Sequence, residues 1–275
     1  MDVVLVIVLI LLSMAAGQIG SVFGLGGGVI VVPVLTILFD IPMHEAVAVS
    51  LVAIVAISAT GAASHVRNGI ANVRVGLRME VAAAAGAVIG AVVALYLQSW
   101  ILMASFALVM IYSALYMFMN PERTVGCDGD DLENGETFEY RDPRTGEDVR
   151  YRVRNIRTGM LGFLAAGISS PLSGVGGGVI KVPIMNTHMD MPIKAATATS
   201  SLVIGITAFA GAAVYLISGT LDILVAAVVI VGAFIGSRTG VIVSSRIDSA
   251  SLKRYFSVLL IFLAVVMILK AGGVL

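Results

Sequence analysis

The chain has 275 residues, of which 59% are hydrophobic and 12% charged, and its formal net charge is zero. Soluble domains carry about a quarter charged residues, so a surface this poor in charge has to meet lipid rather than water. The neutral balance leaves no basic footprint for nucleic acid, and a single cysteine, Cys127, permits neither an intrachain disulfide nor a thiolate metal cluster.

From the N-terminus, Val3 to Met14 runs almost without a polar group. A secretory leader wants a positive start. Asp2 stands there instead, so the stretch 3–23 reads as the first membrane helix. Further apolar stretches cover 29–39, 45–64, 75–97, 100–119, 159–173, 179–187, 195–217, 223–243 and 255–270. A helix needs about 20 residues to cross a bilayer. The stretches 29–39 and 179–187 fall short, and each follows a glycine cluster. Gly24, Gly26, Gly27 and Gly28 precede the first, and Gly174, Gly176, Gly177 and Gly178 the second. Both are predicted to be half-helices behind a glycine-broken turn.

A shift of 150 residues superimposes these clusters without a gap and carries other residues with it. Pro33 falls on Pro183, Asp40 on Asp190, Pro42 on Pro192 and Ser50 on Ser200. Gly61 to Ala63 falls on Gly211 to Ala213, Gly69 on Gly219, and Gly86 and Gly90 on Gly236 and Gly240. Apolar bias inflates chance identity, but it does not align glycines and prolines at one fixed offset. The chain is therefore read as two repeats, 1–120 and 158–275, around a polar linker, 121–157.

Within the linker, Glu136 to Val153 alternates around Asp142-Pro143-Arg144-Thr145-Gly146, which reads as a β-hairpin. Asp128, Asp130, Asp131 and Glu133 form an acidic cluster without the spacing of a calcium loop. A solvated loop accounts for it, and no metal site is expected.

The basic residues give an orientation. The loop near 65–78 carries Arg67, Arg74 and Arg78, while its counterpart near 215–224 carries none. In the second half the basic loop comes one helix later, with Arg246, Lys253 and Arg254. Positive loops stay in the cytoplasm, so the shift by one helix predicts halves that are inverted relative to each other. The linker, with Arg150, Arg152, Arg154 and Arg157, falls inside and both termini outside. Each half then holds either a re-entrant hairpin turning at its glycines, or a full span followed by a short tilted one. The fold class expected is an all-α polytopic membrane protein of two inverted-topology repeats. Each would be a glycine-broken or re-entrant helix pair plus three transmembrane helices, placed multi-pass in the cell membrane.

Irregular backbone at membrane depth is tolerated where it is buried in protein or lines a polar cavity. Half-helices starting at mid-membrane present unpaired N–H groups to an anion; the alternative is that the glycines only permit close packing. Lys181, three residues past Gly178, has Val31 as its repeat mate. A cation at that depth marks a substrate or coupling site, unless it snorkels to the surface. The same choice applies to Arg238, whose mate is Val88. Ser50 and Ser200, with Thr197, Thr199 and Ser201 around the latter, offer hydroxyls to oxyanion oxygens or to neighbouring helices. Asp40 and Asp190, each just ahead of a proline, read as helix caps, and the Gly86/Gly90 and Gly236/Gly240 pairs as close-packing faces. Hydrolase, P-loop and HExxH metalloprotease motifs are absent, so no enzyme and no cofactor is expected.

The duplicated G-x-G-G-G-x-x-x-x-P element, the helix bearing Ser50 or Ser200, and Gly69 or Gly219 beyond Gly61 or Gly211 resemble the sulfite exporter TauE/SafE family. The resemblance covers both halves and omits 121–157, which is longer and more polar than the family pattern. It implies a secondary transporter, in the direction of export, for small sulfur-containing anions such as sulfite, thiosulfate or sulfoacetate. Alternating access would expose a site near the two glycine clusters, with Lys181 as its charge. A passive anion channel and a non-transporting membrane scaffold are the alternatives.

Overall fold

The computed structural model describes residues 3–119, 136–141, 146–244 and 249–273. Helix α1 (Val3–Phe23) leads through the first glycine cluster into α2 (Gly28–Pro33), which widens into a π turn, Val34–Leu38. Pro33 supplies no N–H to the helical ladder, and the wider turn begins at the next residue. Helices α3 (Met43–Arg67), α4 (Val73–Tyr96) and α5 (Ser99–Met119) complete the first half. Strands β1 (Glu136–Arg141) and β2 (Asp148–Val153) follow. The second half repeats the order: α6 (Ile156–Ser173), α7 (Gly178–Pro183) with its π turn Ile184–His188, α8 (Ile193–Ile217), α9 (Ile223–Ser244) and α10 (Ser249–Ala271). Among the described residues, six helices are long and apolar enough to cross a membrane, and the chain is an all-α polytopic membrane protein. Residues such as Val81, Ile89 and Val93 on α4 or Phe262 and Val265 on α10 leave apolar side chains on its outside, as a lipid-facing surface requires.

Two central helices organise the rest. α3 and α8 pack on each other, and each lines the glycine tips described below. Their contacts run in opposite senses. Gly211 meets Leu51, Gly205 meets Ser58, and Gly61 meets Ser201. Around them, α1 packs on α9 and α6 packs on α4. The 150-residue shift exchanges these two pairs, so each half lends its first helix to the other. α5 and α10, themselves repeat mates, pack together. The halves are therefore interleaved, and neither owns a separate core.

Glycines make the interleaving possible. A Cβ on Gly86 or Gly90 of α4 would strike the backbone of Leu164 or Ile168 in α6, and one on Gly236 or Gly240 of α9 would strike Met14 or Gln18 in α1. This is the small-residue packing read from the sequence.

The hairpin forms with Glu136 opposite Val153 and Arg141 opposite Asp148. Its turn residues 142–145 lie outside the described residues, as do Cys127, the acidic cluster at 128–133 and Arg246. The hairpin is docked rather than dangling. Tyr151 is buried, flanked by Phe138 and Tyr140, and the aromatic group packs with Val75, Met79, Met185 and Met189.

Asp40 and Asp190 are not helix caps. Pro42 and Pro192 occupy the N-cap positions of α3 and α8. The aspartates sit two residues earlier with φ of 54° and 55°, ending the π turns. That left-handed conformation is one that aspartate tolerates better than most residues. Asp40 instead pairs with Lys270 of α10 at 2.8 Å.

Candidate functional site

The two glycine clusters meet. Residues 24–28 and 174–178 are all buried, and both tips lie against Ile54 of α3 and Ile204 of α8. A Cβ on Gly26 would come within 2.8 Å of Ile54 and 3.1 Å of Ile204; one on Gly176 would come within 2.9 Å of Ile204 and 3.1 Å of Ile54. Ile54 and Ile204 are repeat mates, each the twelfth of 25 residues in its helix. The tips therefore sit halfway along the two central spans.

The contact between tips is reciprocal. Gly28 abuts the carbonyl of Gly174, and Gly178 abuts that of Gly24. The turn depends on glycine: Gly27 and Gly177 both have φ of 75°, in the left-handed region that costs other residues roughly 1–2 kcal/mol. Ile30 and Val31 bond back to the Gly27 carbonyl, and Ile180 and Lys181 to that of Gly177. The leading N–H groups of any helix find no partner inside it. In this chain those groups belong to the two tips.

Hydroxyls surround the tips, and their bonding is unequal. Ser50 donates to the Gly174 carbonyl at 2.7 Å. Its mate Ser200 is fully buried, faces the start of α7 beside Gly178, and has no hydrogen-bond partner. Ser201, next to Gly24, and Ser170, next to Gly177, are likewise buried hydroxyls without a partner. Buried polar groups in proteins are almost always satisfied. Three unsatisfied hydroxyls around one pair of tips therefore leave donors there that a polar guest could use.

Thr199 is used differently. Its hydroxyl accepts the N–H of Asn72 at 2.9 Å. Asn72 in turn accepts from the Val75 N–H at the start of α4 and donates to the Tyr151 hydroxyl at 3.1 Å. Thr199 thus ties α8 to α4 and to the hairpin. Arg238 is not brought to the tips. It is exposed, with its guanidinium 5.6 Å from the ring of Phe234 on its own helix.

Lys181 is fully buried beside the second tip and does not snorkel. Its Nζ lies 2.7 Å from Oε2 of Glu80, itself 2% exposed. The Thr207 hydroxyl hydrogen-bonds both groups, and the Phe163 ring lies 5.5 Å from Nζ. Glu80, Thr207, Phe163 and Ser170 are not singled out by the sequence, whereas Ser201 stands among the hydroxyls read there as facing the tips. A signal for Glu80 existed, since a carboxylate eight residues into an apolar span is costly unless paired. The repeat mate of Glu80 is Ile230, and Glu80 lies far along the chain from either glycine cluster, so neither of those signals marks it.

Comparison with known proteins agrees with this architecture. The profile of the family described as "Sulfite exporter TauE/SafE" matches residues 9–267. The chain is 26% identical to the Bacillus subtilis "Probable membrane transporter protein YunE" over 265 residues, covering 94% of this chain and 95% of that one. It is 27% identical to "Probable membrane transporter protein YdhB" of the same bacterium over 241 residues, 86% and 87% of the two chains. It is 26% identical to "Probable membrane transporter protein MJ0441" of Methanocaldococcus jannaschii over 279 residues, 95% and 94% of the two. No solved structure matches the chain.

Proposed function

The chain belongs to the sulfite exporter TauE/SafE family of multi-pass membrane transporters, and on that premise we propose that it exports small sulfur-containing anions such as sulfite, thiosulfate or sulfoacetate. The anion binds between the glycine tips. Ser170, Ser200 and Ser201, with the leading amides of the Gly24–Gly28 and Gly174–Gly178 turns, meet its oxygens, Ser50 braces the Gly174 carbonyl beside them, and Lys181 supplies the charge. Thr199 supports the site from outside it, through its bond to Asn72, and Arg238 has no part in it.

The observation that carries this reading is the set of buried, unpartnered hydroxyls of Ser170, Ser200 and Ser201 around the tips. Oxyanions need several donors converging in a place sheltered from water, and hydroxyls and amides supply them without committing a fixed charge. Access alternates when one half rocks against the other about the tips. The halves are inverted relative to the membrane, with the termini outside and the 121–157 linker in the cytoplasm. The opposed contacts of α3 and α8 and the displaced basic loops favour that arrangement.

Reconstitution into liposomes tests the proposal. Labelled sulfite, thiosulfate and sulfoacetate are each offered against chloride. Saturable uptake, accelerated by the same anion on the opposite side, is expected for at least one sulfur anion and not for chloride. Unsaturable conductance would mean a channel. No flux of any anion, with none raising the melting temperature, would mean a scaffold.

A further inference from the structure

The ion pair beside the tips does not follow the repeat. Glu80, Lys181 and Thr207 have Ile230, Val31 and Ile57 as their mates. Val31 and Ile57 are buried in an apolar cluster with residues of α9. The same backbone frame is therefore built twice in this molecule, once with a buried ion pair and once with aliphatic side chains. Packing does not require the charges. A buried pair is at best near break-even against an apolar replacement of similar volume, so its presence in one half alone calls for a role other than stability.

Its position supplies one. Lys181 is three residues past Gly178, about 5 Å along the helix, and Thr207 is three residues past Ile204, which touches both tips. Lys181 has one carboxylate partner, and an anion arriving at the tips competes with that carboxylate for the same ammonium. Protonating the carboxylate removes one negative charge from the site when the anion is present, and each charge at this depth is expensive.

We propose that Glu80 is the proton-binding group that couples anion passage to proton movement, with Lys181 changing partner between Glu80 and the substrate. The inference rests on the anion-transport reading above. The Glu80 carboxylate accepts a proton from water on one side and becomes a neutral carboxyl. Nζ of Lys181 loses its counter-charge and takes an oxygen of the sulfur anion in its place. On the opposite side the anion leaves, the carboxyl returns its proton to water, and the carboxylate closes again on Lys181. One proton travels with one anion in the same direction. Outward passage runs on the anion's own gradient and on the interior-negative membrane potential, which expels the net negative charge of a divalent anion and its proton. An empty, unprotonated site stays paired and neutral, which lets it cross between the two faces without leaking either ion.

Few other groups compete for the role. Among the described residues, α3 brings His44, Glu45, His65 and Arg67, α6 brings Arg157, and α8 brings Lys194 and Tyr215, all within three residues of a helix end. On α4 itself Arg74 and Arg78 are exposed, and Tyr151 of the hairpin is bonded to Asn72. Lys181 of α7 is the charged group that touches Glu80.

The test uses liposomes enclosing a pH-sensitive dye, with thiosulfate as the probe because its charge is constant over the pH range used, and sulfoacetate in parallel. Wild-type protein is expected to acidify the lumen as the anion enters, one proton per anion, and to accumulate the anion against its gradient when the outside is acidic. Glu80→Gln, which mimics the protonated carboxyl, is expected to keep anion-for-anion exchange, to lose its pH dependence, and to lose lumen acidification. Should Glu80→Gln not fold, the neutral double variant Glu80→Gln with Lys181→Met is expected to fold and to show neither exchange nor proton movement. Proton movement with the anion in either variant, or a folded Glu80→Gln without exchange, overturns the proposal. Wild-type protein that carries the anions without protons overturns the coupling alone. Wild-type protein that carries none of the anions removes the transport reading, and the coupling with it.

Discussion

The Ser50 hydroxyl reaches across the seam between the two halves to the Gly174 carbonyl, 2.7 Å away, whereas its mate Ser200 has no partner at all. Identical residues at equivalent positions are thus expected to behave differently. Ser50→Ala strands a buried carbonyl and should cost roughly 1–3 kcal/mol of stability. Ser200→Ala should leave the melting temperature of the empty protein nearly unchanged and reduce the extra stabilisation that thiosulfate confers. Thermal unfolding of both variants, with and without thiosulfate, separates the two roles.

Glycine positions can be graded in the same way. A Cβ on Gly27 would combine a φ of 75° with an approach of 2.8 Å to the Ala16 carbonyl. Gly69 has a φ of 68° and open space around it. Gly69→Ala should therefore cost only the left-handed conformation, roughly 1–2 kcal/mol. Gly27→Ala should lose more, because backbone has to move as well. Monodisperse yield and melting temperature report the order.

Removing one member of the ion pair leaves the other charged and buried. Lys181→Met alone is expected to lose about 3–5 kcal/mol, while Glu80→Leu combined with Lys181→Met is expected to be near neutral or stabilising. A double variant as unstable as the single one would mean that the pair has a structural role the aliphatic half does without.

The docked hairpin makes a prediction in alkali. Burial raises the Tyr151 phenol above its ordinary value of 10.0, opposed by the Asn72 bond. The folded state therefore holds this proton more tightly than the unfolded chain. The resulting stabilisation is complete below pH 10.0 and is lost as pH rises through the folded value. Tyr151→Phe removes the bond to Asn72, costing about 1 kcal/mol, and removes that part of the alkaline loss. Melting curves of both proteins on either side of pH 10.0 check the sign.

Arg238 sits on the outside over Phe234. Arg238→Ala is expected to leave anion-dependent melting and anion exchange unchanged, and a loss of either would bring this residue into the site.

Much of the architecture was legible before any coordinates. A helix in lipid must satisfy its backbone internally, so span length and apolar runs predict the helices directly, and every apolar stretch read from the chain became one. The hairpin strands followed from alternation and turn chemistry. Matched glycines and prolines located the two broken turns, because those residues act through local backbone geometry. Asp40 and Asp190 were misread for a related reason. Their place before a proline resembles a cap, but the π turns ahead of them bring the chain into a left-handed residue, and only the longer path of the backbone reveals that.

Hydropathy, turn residues and a 150-residue offset were enough to establish a duplicated membrane bundle with two glycine tips, since each of these signals is local or simply periodic. The partners across the fold came from packing alone. Helix α7 carries Lys181 onto Glu80 from a different half of the chain, α8 sets Thr207 between them, and Ser200 loses the bond that Ser50 keeps. Such pairings depend on which helix each half lends to the other, and no spacing within a single segment encodes that exchange.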